Sequence, residues 1–542
     1  GYDAASGRLQ YMTRAGEATQ FTNYSPLGQA GQVQYPSATG LGNDNFSYDA
    51  RGNMTAASGQ QTITQLFPTE EARILGRPSK VTQDGRQVTL AYNALGQVTE
   101  QSRQVTTPSG TVVTLTDKYE YDALGRMTKH IAPDGTATVY AHNAAGRVTG
   151  QTVAGLDAGT GAPLTITTAT TYSGNGEVTE QTDAGGTTLH FTYDNRGQII
   201  REEWDETLAP AASTTACYIT HAYNAAGLET LLSGNAGPQV TTTYNASGQM
   251  TARTADGVTE EFTYDGAGRL HEWGPASRTV ERTYATTSTT TKYPGTAYSV
   301  IPTGTARVLT QREERDALDR AVKIVGYDDN FAHPPTGGAP PAIVSTATLT
   351  DRRFTYDNRG RQTQETRGGG SIVTNNTYDA NNRLTATTGP GGNASSYTYN
   401  ELGWVTSATT NGIKRYYEYD DMGRVVREYS KDVSGSPIQV IERGYNGLGW
   451  LLWEKQGGVE TKYGYDALGR VIREEVVGSG VYTSSEYSGR RGLLLKRQVV
   501  ANGLVGGVSA GTVLQTWQYG YDPRGGLLWD EAPGGLRHDY EY

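Results

Sequence analysis

A short sequence word recurs along the whole chain and limits what the chain can fold into. The word is a tyrosine, an aspartate or asparagine, two variable residues, a glycine, often an arginine or glutamine, and an aliphatic residue; residues 121–127 read YDALGRM and residues 465–471 read YDALGRV. Successive copies commonly start about 20 to 22 residues apart. Such a period is typical of folds that grow by adding units, which suits 542 residues better than one hydrophobic core.

The copies differ in quality, and the best of them define the candidate structural residues. Good copies start at Tyr48, Tyr92, Tyr121, Tyr193, Tyr223, Tyr244, Tyr264, Tyr356, Tyr399, Tyr419, Tyr445 and Tyr465, and looser ones at Tyr2, Tyr24, Tyr172, Tyr378, Tyr487 and Tyr521. His142 stands at the tyrosine position of another copy, and Arg315 with Asp319 at the glycine position marks a degenerate one. The motif residues to which we assign a structural role are Tyr48, Asp49, Gly52, Tyr121, Asp122, Gly125, Arg126, Tyr193, Asp194, Gly197, Tyr264, Asp265, Gly268, Arg269, Tyr356, Asp357, Gly360, Arg361, Tyr419, Asp420, Gly423, Arg424, Tyr465, Asp466, Gly469 and Arg470. Their repetition favours turns and ladders over chemistry, because an active site needs to appear only once.

One unit, residues 187–203, shows why the word predicts a β-hairpin. Residues 187–193 are rich in strand formers, Asp194 can close a turn through its side chain, and Gly197 can take a positive φ. A second turn type lies between the words, at residues 84–85, 133–135, 183–186, 256–257 and 411–412. Two alternating turns leave strands of about 5 to 7 residues. The sequence therefore predicts an all-β protein, a long antiparallel meander.

A meander of about forty strands cannot stay flat, because strand twist accumulates. We expect it to coil into a spiral, a hollow shell or a barrel-like cage. Each repeat then stacks on its neighbours, so the motif tyrosines can form a ladder and the arginine after the glycine can pair with the aspartate of an adjacent turn.

The aromatic composition agrees with a thin, wetted wall. The chain has 36 Tyr but only 7 Phe, and a dry core would not need a hydroxyl on nearly every ring.

Charge and cysteine content exclude several classes of protein. The net charge of -10 is mild and no basic run is present, so nucleic acid is not an expected partner. Cys217 is the single cysteine, which excludes an internal disulfide framework, and no apolar stretch is long enough to span a membrane. The chain opens on Gly-Tyr-Asp, and we expect it to be a segment of a longer protein, a single continuous repeat region over residues 1–542.

The YD-x-x-GR word at this spacing resembles the YD repeats of bacterial Rhs proteins, the C component of insecticidal toxin complexes, wall-associated polymorphic toxins and animal teneurins. The resemblance covers essentially the whole chain. It implies a β-sheet strip wound into a hollow shell which, in the bacterial relatives, encloses a toxic C-terminal domain of the same polypeptide.

Departures from that family limit what the resemblance implies. Bacterial relatives typically close the shell with a segment containing a DPxGL-type motif and an aspartate-dependent self-cleavage site. The nearest string here, residues 521–527, reads as one more repeat unit, so self-cleavage and toxin activity are not carried over to this chain. The single cysteine argues against a teneurin.

Intervals longer than the basic period are the places where individual function could lie. They are residues 156–170, 203–216, 273–311, 326–348, 430–439 and 499–515. Residues 326–348 are rich in proline and should form a stiff extended loop; a metal site from Asp328, Asp329 and His333 is conceivable, but adjacent acids in such a loop are usually just solvated. Most other insertions should be lengthened hairpins.

Searches for catalytic motifs favour no enzyme, and we predict no catalytic, metal-binding or cofactor-binding residue. One formal match, GVSAG at residues 507–511, spells a nucleophile elbow but lacks the strand-to-helix context, and His538 is the only later histidine.

Carbohydrate or cell-surface binding is the alternative function, because exposed Tyr and Trp rings can stack on sugars. The candidate platform consists of Trp404, Trp450, Trp453, Trp517 and Trp529. Exposure of these rings in a groove would favour this alternative, and burial between turns would favour a shell.

The expected function is a structural shell of an Rhs-type polymorphic toxin that sequesters a C-terminal toxic cargo until delivery. The expected partners are that toxin domain and capping or delivery proteins of a secretion system or toxin complex. The resemblance also implies export from a bacterium.

Overall fold

The structure, a computed structural model, describes most of the chain. The described residues are 2, 8–14, 17–35, 43–49, 52, 54–58, 63–67, 75, 77–83, 86–107, 110–156, 163–275, 280–284, 288–294, 307–316, 320–331, 343–503 and 509–541. They form 44 β-strands and two short 3-10 turns, Gly368–Gly370 and Pro390–Gly392, so the prediction of an all-β protein is confirmed. No helix among these residues is long and apolar enough to cross a membrane.

The strands follow one another along the chain with short connections. The first are β1 (Tyr11–Arg14), β2 (Glu17–Thr22), β3 (Gln32–Gln34), β4 (Asp44–Tyr48), β5 (Met54–Ser58), β6 (Ile63–Leu66), β7 (Lys80–Gln83), β8 (Arg86–Tyr92) and β9 (Val98–Thr106). The next are β10 (Val112–Tyr121), β11 (Met127–Ile131), β12 (Ala137–His142), β13 (Val148–Leu156), β14 (Pro163–Tyr172), β15 (Val178–Thr182), β16 (Thr188–Tyr193), β17 (Ile199–Glu206), β18 (Thr215–Tyr223), β19 (Glu229–Gly234), β20 (Val240–Tyr244) and β21 (Met250–Ala255). Then come β22 (Val258–Tyr264), β23 (Leu270–Gly274), β24 (Val280–Tyr284), β25 (Ser288–Pro294), β26 (Arg307–Arg315), β27 (Ala321–Phe331), β28 (Ile343–Tyr356), β29 (Gln362–Arg367), β30 (Ile372–Tyr378), β31 (Leu384–Thr388), β32 (Ala394–Tyr399) and β33 (Val405–Thr410). The last are β34 (Ile413–Tyr419), β35 (Val425–Lys431), β36 (Pro437–Tyr445), β37 (Leu451–Gln456), β38 (Val459–Tyr465), β39 (Val471–Val476), β40 (Val481–Tyr487), β41 (Leu494–Ala501), β42 (Val513–Tyr521), β43 (Leu527–Ala532) and β44 (Leu536–Asp539).

The chain divides into two compact units, each made from two separate stretches. Unit 1 is Gly1–Thr114 with Thr259–Lys414, and unit 2 is Leu115–Val258 with Arg415–Tyr542. Within each unit the registered pairs are antiparallel and join strands that are neighbours in the chain. Each unit is therefore a hairpin meander, as the two alternating turns predict, and pairing of the described strands does not close either one into a barrel.

The register shifts by one residue beside nearly every motif turn. In the β28–β29 hairpin Tyr356 pairs with Gln362 but Thr355 pairs with Gln364, so Thr363 is an extra residue on the return strand. The same shift follows the motif tyrosine of β10, β16, β32, β38 and β42. A bulge increases the local twist, so its repetition bends the strip in a regular way.

The two faces of the strip differ in burial. In β16 the face that carries the motif tyrosine also carries Leu189 and Phe191, whereas His190 and Thr192 on the opposite face are exposed. Few side chains of the described residues are fully buried, and one cluster in unit 2 stands out: Leu189, Trp204, Cys217 and Ala236, with Phe191 and Ile219 packed against it.

The predicted insertions lie mainly at lengthened hairpins, among them β13–β14, β17–β18, β35–β36 and β41–β42. The expectation of a loop over residues 326–348 is wrong at both ends, because β27 continues to Phe331 and β28 begins at Ile343. The backbone pairing between these two strands extends them into a segment whose proline-rich composition favours a loop. The side chains of Asp328 and Asp329, and His333, lie outside the described residues.

Candidate functional site

The motif turn is built by one aspartate and one glycine. In the copy that starts at Tyr121, the N–H of Asp122 donates to the Arg126 carbonyl at 2.9 Å, and the N–H of Gly125 donates to the Asp122 carbonyl at 3.0 Å. The Asp122 carboxylate accepts from the N–H groups of Leu124 and Arg126, both at 2.9 Å. Gly125 has a φ of 81°, a conformation that strains any residue with a side chain. This is the tight hairpin turn in which a glycine follows a type I turn.

The bond between the glycine and the aspartate recurs in the seven copies whose motif residues were assigned a structural role. The glycine N–H bonds to the aspartate carbonyl at 2.9–3.1 Å in the copies of Gly52, Gly125, Gly197, Gly268, Gly360, Gly423 and Gly469. Several copies use asparagine in place of aspartate, and its side-chain oxygen accepts the same two N–H groups, as at Asn143, Asn224, Asn245, Asn400 and Asn446.

Charge at these turns is stabilised by the backbone. The N–H four residues further on donates to the carboxylate of Asp122, Asp194 and Asp265, and this bond is the main reason that the pKa of each carboxyl lies below its usual range.

The motif arginine joins one turn to the next. The Arg361 Nε donates to the carboxylate of Asp357, in its own turn, at 2.7 Å. Its Nη1 donates to the backbone carbonyl of Asp379, which begins the next motif turn, at 2.9 Å. Arg383 repeats both contacts, at 2.7 Å to Asp379 and 2.8 Å to the Asn400 carbonyl.

The expectation that this arginine pairs with the aspartate of an adjacent turn is therefore wrong. The two backbone bonds fix the aspartate so that its second oxygen faces the arginine of the same turn, and the adjacent turn offers a carbonyl instead. Ion pairs within one turn recur at Arg126, Arg269, Arg320, Arg361, Arg383, Arg424 and Arg470.

The motif tyrosine completes the connection between repeats. Its ring lies under the arginine of the preceding repeat; Arg361 is 4.8 Å from the ring centroid of Tyr378, and Arg383 is 4.8 Å from that of Tyr399. Where Trp450 replaces the arginine, its ring packs on Tyr465 with centroids 5.2 Å apart.

The tyrosine hydroxyl donates to the first carbonyl of the return strand in the preceding repeat. Tyr378 bonds to Gln362 at 2.8 Å, and Tyr399 bonds to Leu384 at 2.6 Å. The same bond is made by Tyr172, Tyr193, Tyr223, Tyr244, Tyr356, Tyr445, Tyr465, Tyr487 and Tyr521. The Tyr92 hydroxyl bonds instead to the Pro78 carbonyl, two residues before β7. The acceptor lies beside the bulge, where the hydrogen bonds between the two strands are locally disrupted, and the hydroxyl ties this carbonyl to the next repeat. This explains why the chain uses tyrosine in place of phenylalanine.

We define the ladder as this row of motif tyrosines with the arginine, or its replacement, of the preceding repeat. The sequence predicted a tyrosine ladder, but it did not predict the bulge or the carbonyl acceptor. The sequence does contain a signal for a hydrogen-bond acceptor, because the same motif position carries tyrosine, with its hydroxyl, in copy after copy.

Contacts between distant parts of the chain also use the turns. In unit 1 the Glu401 carboxylate, in a motif turn, accepts from the N–H and the hydroxyl of Thr106, 295 residues earlier, at 3.1 and 2.8 Å. In unit 2 Arg424 lies 3.7 Å from Asp134, which belongs to a turn of the second type. Within each unit, later motif turns therefore pack on earlier turns of the second type, as in a strip that returns alongside itself.

The five candidate tryptophans lie in the sheet strands or beside the motif turns. All five are half-buried, and Trp404 belongs to unit 1 whereas the other four belong to unit 2. The indoles of Trp453 and Trp529 pack directly on Gly444 and Gly520 of the facing strand.

The formal nucleophile motif has no helix after it. Ser509 and Gly511 lie in the connection between β41 and β42, while Gly507 and Val508 fall outside the described residues.

Comparison with known proteins finds a family model that matches parts of the chain and solved structures that are similar to it. The RHS repeat family matches residues 101–137, 121–155, 172–202 and 378–412. No curated protein sequence matches the chain.

Solved structures of toxin complexes share the fold. They include the Photorhabdus luminescens Tc holotoxin pore with the mutation TccC3-D651A (12% identity, TM-score 0.55), the TcdB2-TccC3-Cdc42 structure (13%, 0.56), and TcdB2-TccC3 without its hypervariable C-terminal region (12%, 0.52). The alignments cover 98–100% of this chain but only 37–39% of the matched chains, so the chain spans less than two fifths of their length.

Proposed function

We propose, from the premise that this chain is an Rhs-repeat protein, that its sheet is part of the wall of an encapsulating shell. The observation that carries the proposal is the ladder, in which a repeat such as that of Arg361 is tied to the next by the arginine, a tyrosine ring and a tyrosine hydroxyl. Such a wall needs no thick core, because each unit is stabilised by its neighbours along the strip.

The wall should also resist unravelling. Strand edges are covered by the next hairpin, and turns of the later stretch pack on turns of the earlier stretch within each unit. A sheet fastened in two directions suits containment better than catalysis, and we propose a structural role without enzymatic activity.

The finer proposal is that the shell sequesters a toxic C-terminal cargo of the same polypeptide until delivery from a bacterium. It is supported by the fold shared with TcdB2-TccC3, one structure of which lacks a hypervariable C-terminal region. Capping or delivery proteins of a toxin complex are the proposed partners.

Carbohydrate binding ranks below this proposal. The candidate tryptophan rings are half-buried, and two of them pack on a facing glycine, so the stacking faces that a sugar needs are partly occupied.

The test is electron microscopy of the chain together with a protection assay. An unstructured segment carrying protease sites is fused after Tyr542, and the same segment is added separately to the unfused chain as the control. A bounded internal space, with slower cleavage of the fused segment than of the separate one, supports the shell. A solid or flat strip that leaves both segments equally cleavable refutes it.

A further inference from the structure

Two departures from the repeat, far apart in the sequence, meet in unit 2. The first is the insertion between β17 and β18. The second is the turn after Tyr487, where six residues rather than five separate the tyrosine from its strand partner Leu494; in the copy of Tyr121 the partner is Met127. The insertion and this turn are brought together by Arg491, 285 residues after Glu206.

Arg491 touches three separate segments. Its backbone N–H donates to the Glu206 carboxylate at 3.4 Å, and its guanidinium donates to the carbonyls of Ala236 and Pro523. The guanidinium also lies 5.4 Å from the ring centroid of Trp204. The motif arginines make other contacts: they bond to the aspartate of their own turn and to a carbonyl of the following turn, and Arg424 in addition lies 3.7 Å from Asp134.

Glu206 is the most deeply buried charged side chain of this region, with 1% of its surface exposed. Its second carboxylate oxygen accepts from the Trp204 indole N–H at 2.8 Å. A buried carboxylate is costly unless it is hydrogen-bonded and has cations nearby, and here Arg490 and Arg491 both lie over the Trp204 ring. The insertion is therefore stable in this position only while the turn of Arg491 is in place.

A second attachment lies further along the insertion. The N–H of Tyr521 donates to the carbonyl of Leu208 at 2.9 Å, and the Leu208 side chain is buried. The insertion thus contacts the last repeats of unit 2 at two points, the turn of Arg491 and the strand end at Tyr521.

We propose that Trp204, Glu206, Leu208 and Arg491 form a clasp that fastens the early repeats of unit 2 to its last repeats. The clasp opens as one step, separately from the ladder, because the hydroxyl and arginine contacts of the ladder do not include these four residues. The inference goes beyond the shell function and holds whether or not the repeats enclose a cargo.

The chain carries its own reporter of clasp opening. Cys217 is the single cysteine, is completely buried, and packs in the cluster of Trp204 and Ala236 beneath the clasp. Burial raises the pKa of its thiol, which further slows its reaction with electrophiles while the clasp is closed. A thiol reagent should therefore label Cys217 only after the clasp has opened.

The experiment measures the labelling rate of Cys217 under native conditions in the full chain. Arg491→Ala keeps the backbone bond to Glu206 but removes the guanidinium, its contact with Trp204 and its bonds to the Ala236 and Pro523 carbonyls. We expect labelling about tenfold to a hundredfold faster, since two charge-assisted bonds are lost. Arg126→Ala is the matched control, because it removes a motif arginine of the same unit that bonds to Asp122 and to the Asn143 carbonyl rather than to the clasp. We expect it to change the rate by less than about threefold.

The wild-type chain provides a second measurement that does not depend on whether a variant folds. If the clasp opens separately, labelling in low urea should depend on urea much less steeply than global unfolding does, because little surface is exposed. The proposal is overturned if labelling has the urea dependence of global unfolding, or if Arg491→Ala and Arg126→Ala accelerate labelling equally.

Discussion

The tyrosine hydroxyls of the ladder can be tested one at a time, and β38 offers a matched pair. Tyr465 and Tyr463 lie on the same face of this strand, two residues apart, and both are half-buried. The Tyr465 hydroxyl donates to the Leu451 carbonyl at 2.8 Å, whereas no hydrogen-bond partner of the Tyr463 hydroxyl is found among the described residues. Tyr465→Phe therefore deletes a bond of the ladder, and Tyr463→Phe deletes a hydroxyl without one.

The expected magnitude follows from what the deletion leaves behind. A hydrogen bond contributes about 0.5–1.5 kcal/mol net, and an acceptor left buried without a partner costs about 1–3 kcal/mol. Leu451 is only half-buried, so water can replace the lost hydroxyl in part. We expect Tyr465→Phe to lower the free energy of unfolding by about 1 kcal/mol, and Tyr463→Phe to change it by less than about 0.5 kcal/mol.

The assay is urea unfolding at neutral pH, combined with hydrogen exchange of the peptides that cover β37 and β38. Because each repeat is stabilised by its neighbours, the faster exchange of Tyr465→Phe should be confined to these two strands and the hairpin before them. Equal effects of the two variants, or a larger effect of Tyr463→Phe, would refute the assignment of the hydroxyl bond as the link between repeats.

Three further perturbations test the turn. Arg361→Lys keeps the charge but loses the planar fork that reaches its own aspartate and the next turn, so the local stability measured by hydrogen exchange should fall by about 1–2 kcal/mol. Gly268→Ala, at a φ of 77°, should lower the urea midpoint with a loss of about 1–2 kcal/mol, whereas Gly266→Ala in the same turn has open space and an ordinary φ and should be nearly neutral; equal effects would contradict the turn geometry. Asp194 has a lowered pKa in the folded protein, so its contribution is complete above its unfolded pKa of about 3.9 and is lost as the pH falls through the folded value. Asp194→Asn keeps the two backbone bonds and should make the urea midpoint less dependent on pH below about 4, and an unchanged acid dependence would contradict this.

Much of the local structure could be predicted from the sequence, because it depends on residues within one repeat. An aspartate that bonds to two backbone N–H groups and a glycine at positive φ specify the turn wherever the glycine stands three positions after the aspartate, as Gly125 does after Asp122. The alternation of two turns then requires antiparallel hairpins, and the expected number of about forty strands agrees with the 44 strands of the described residues.

The hydrogen-bond partners of the motif side chains depend on the shape of the turn and on the strand register, neither of which can be read from the repeated motif. The arginine was expected to pair with an adjacent aspartate, but the turn holds the carboxylate of its own aspartate within reach, as at Arg361 and Asp357. The bulge was missed because it moves the register by one residue without any glycine or proline to mark it, as at Thr363.

By itself the sequence determined the repeat, the turn chemistry and the antiparallel meander, since each of these follows from interactions between residues close in the chain. Only the tertiary structure decided which distant parts of the strip pack on each other. It also decided that the insertion after β17 and the turn of Arg491 are in contact. The contacts of Glu206 with Arg491 and of Thr106 with Glu401 join residues 285 and 295 positions apart. Such pairs are set by the accumulated twist and bend of many hairpins, which no single repeat contains.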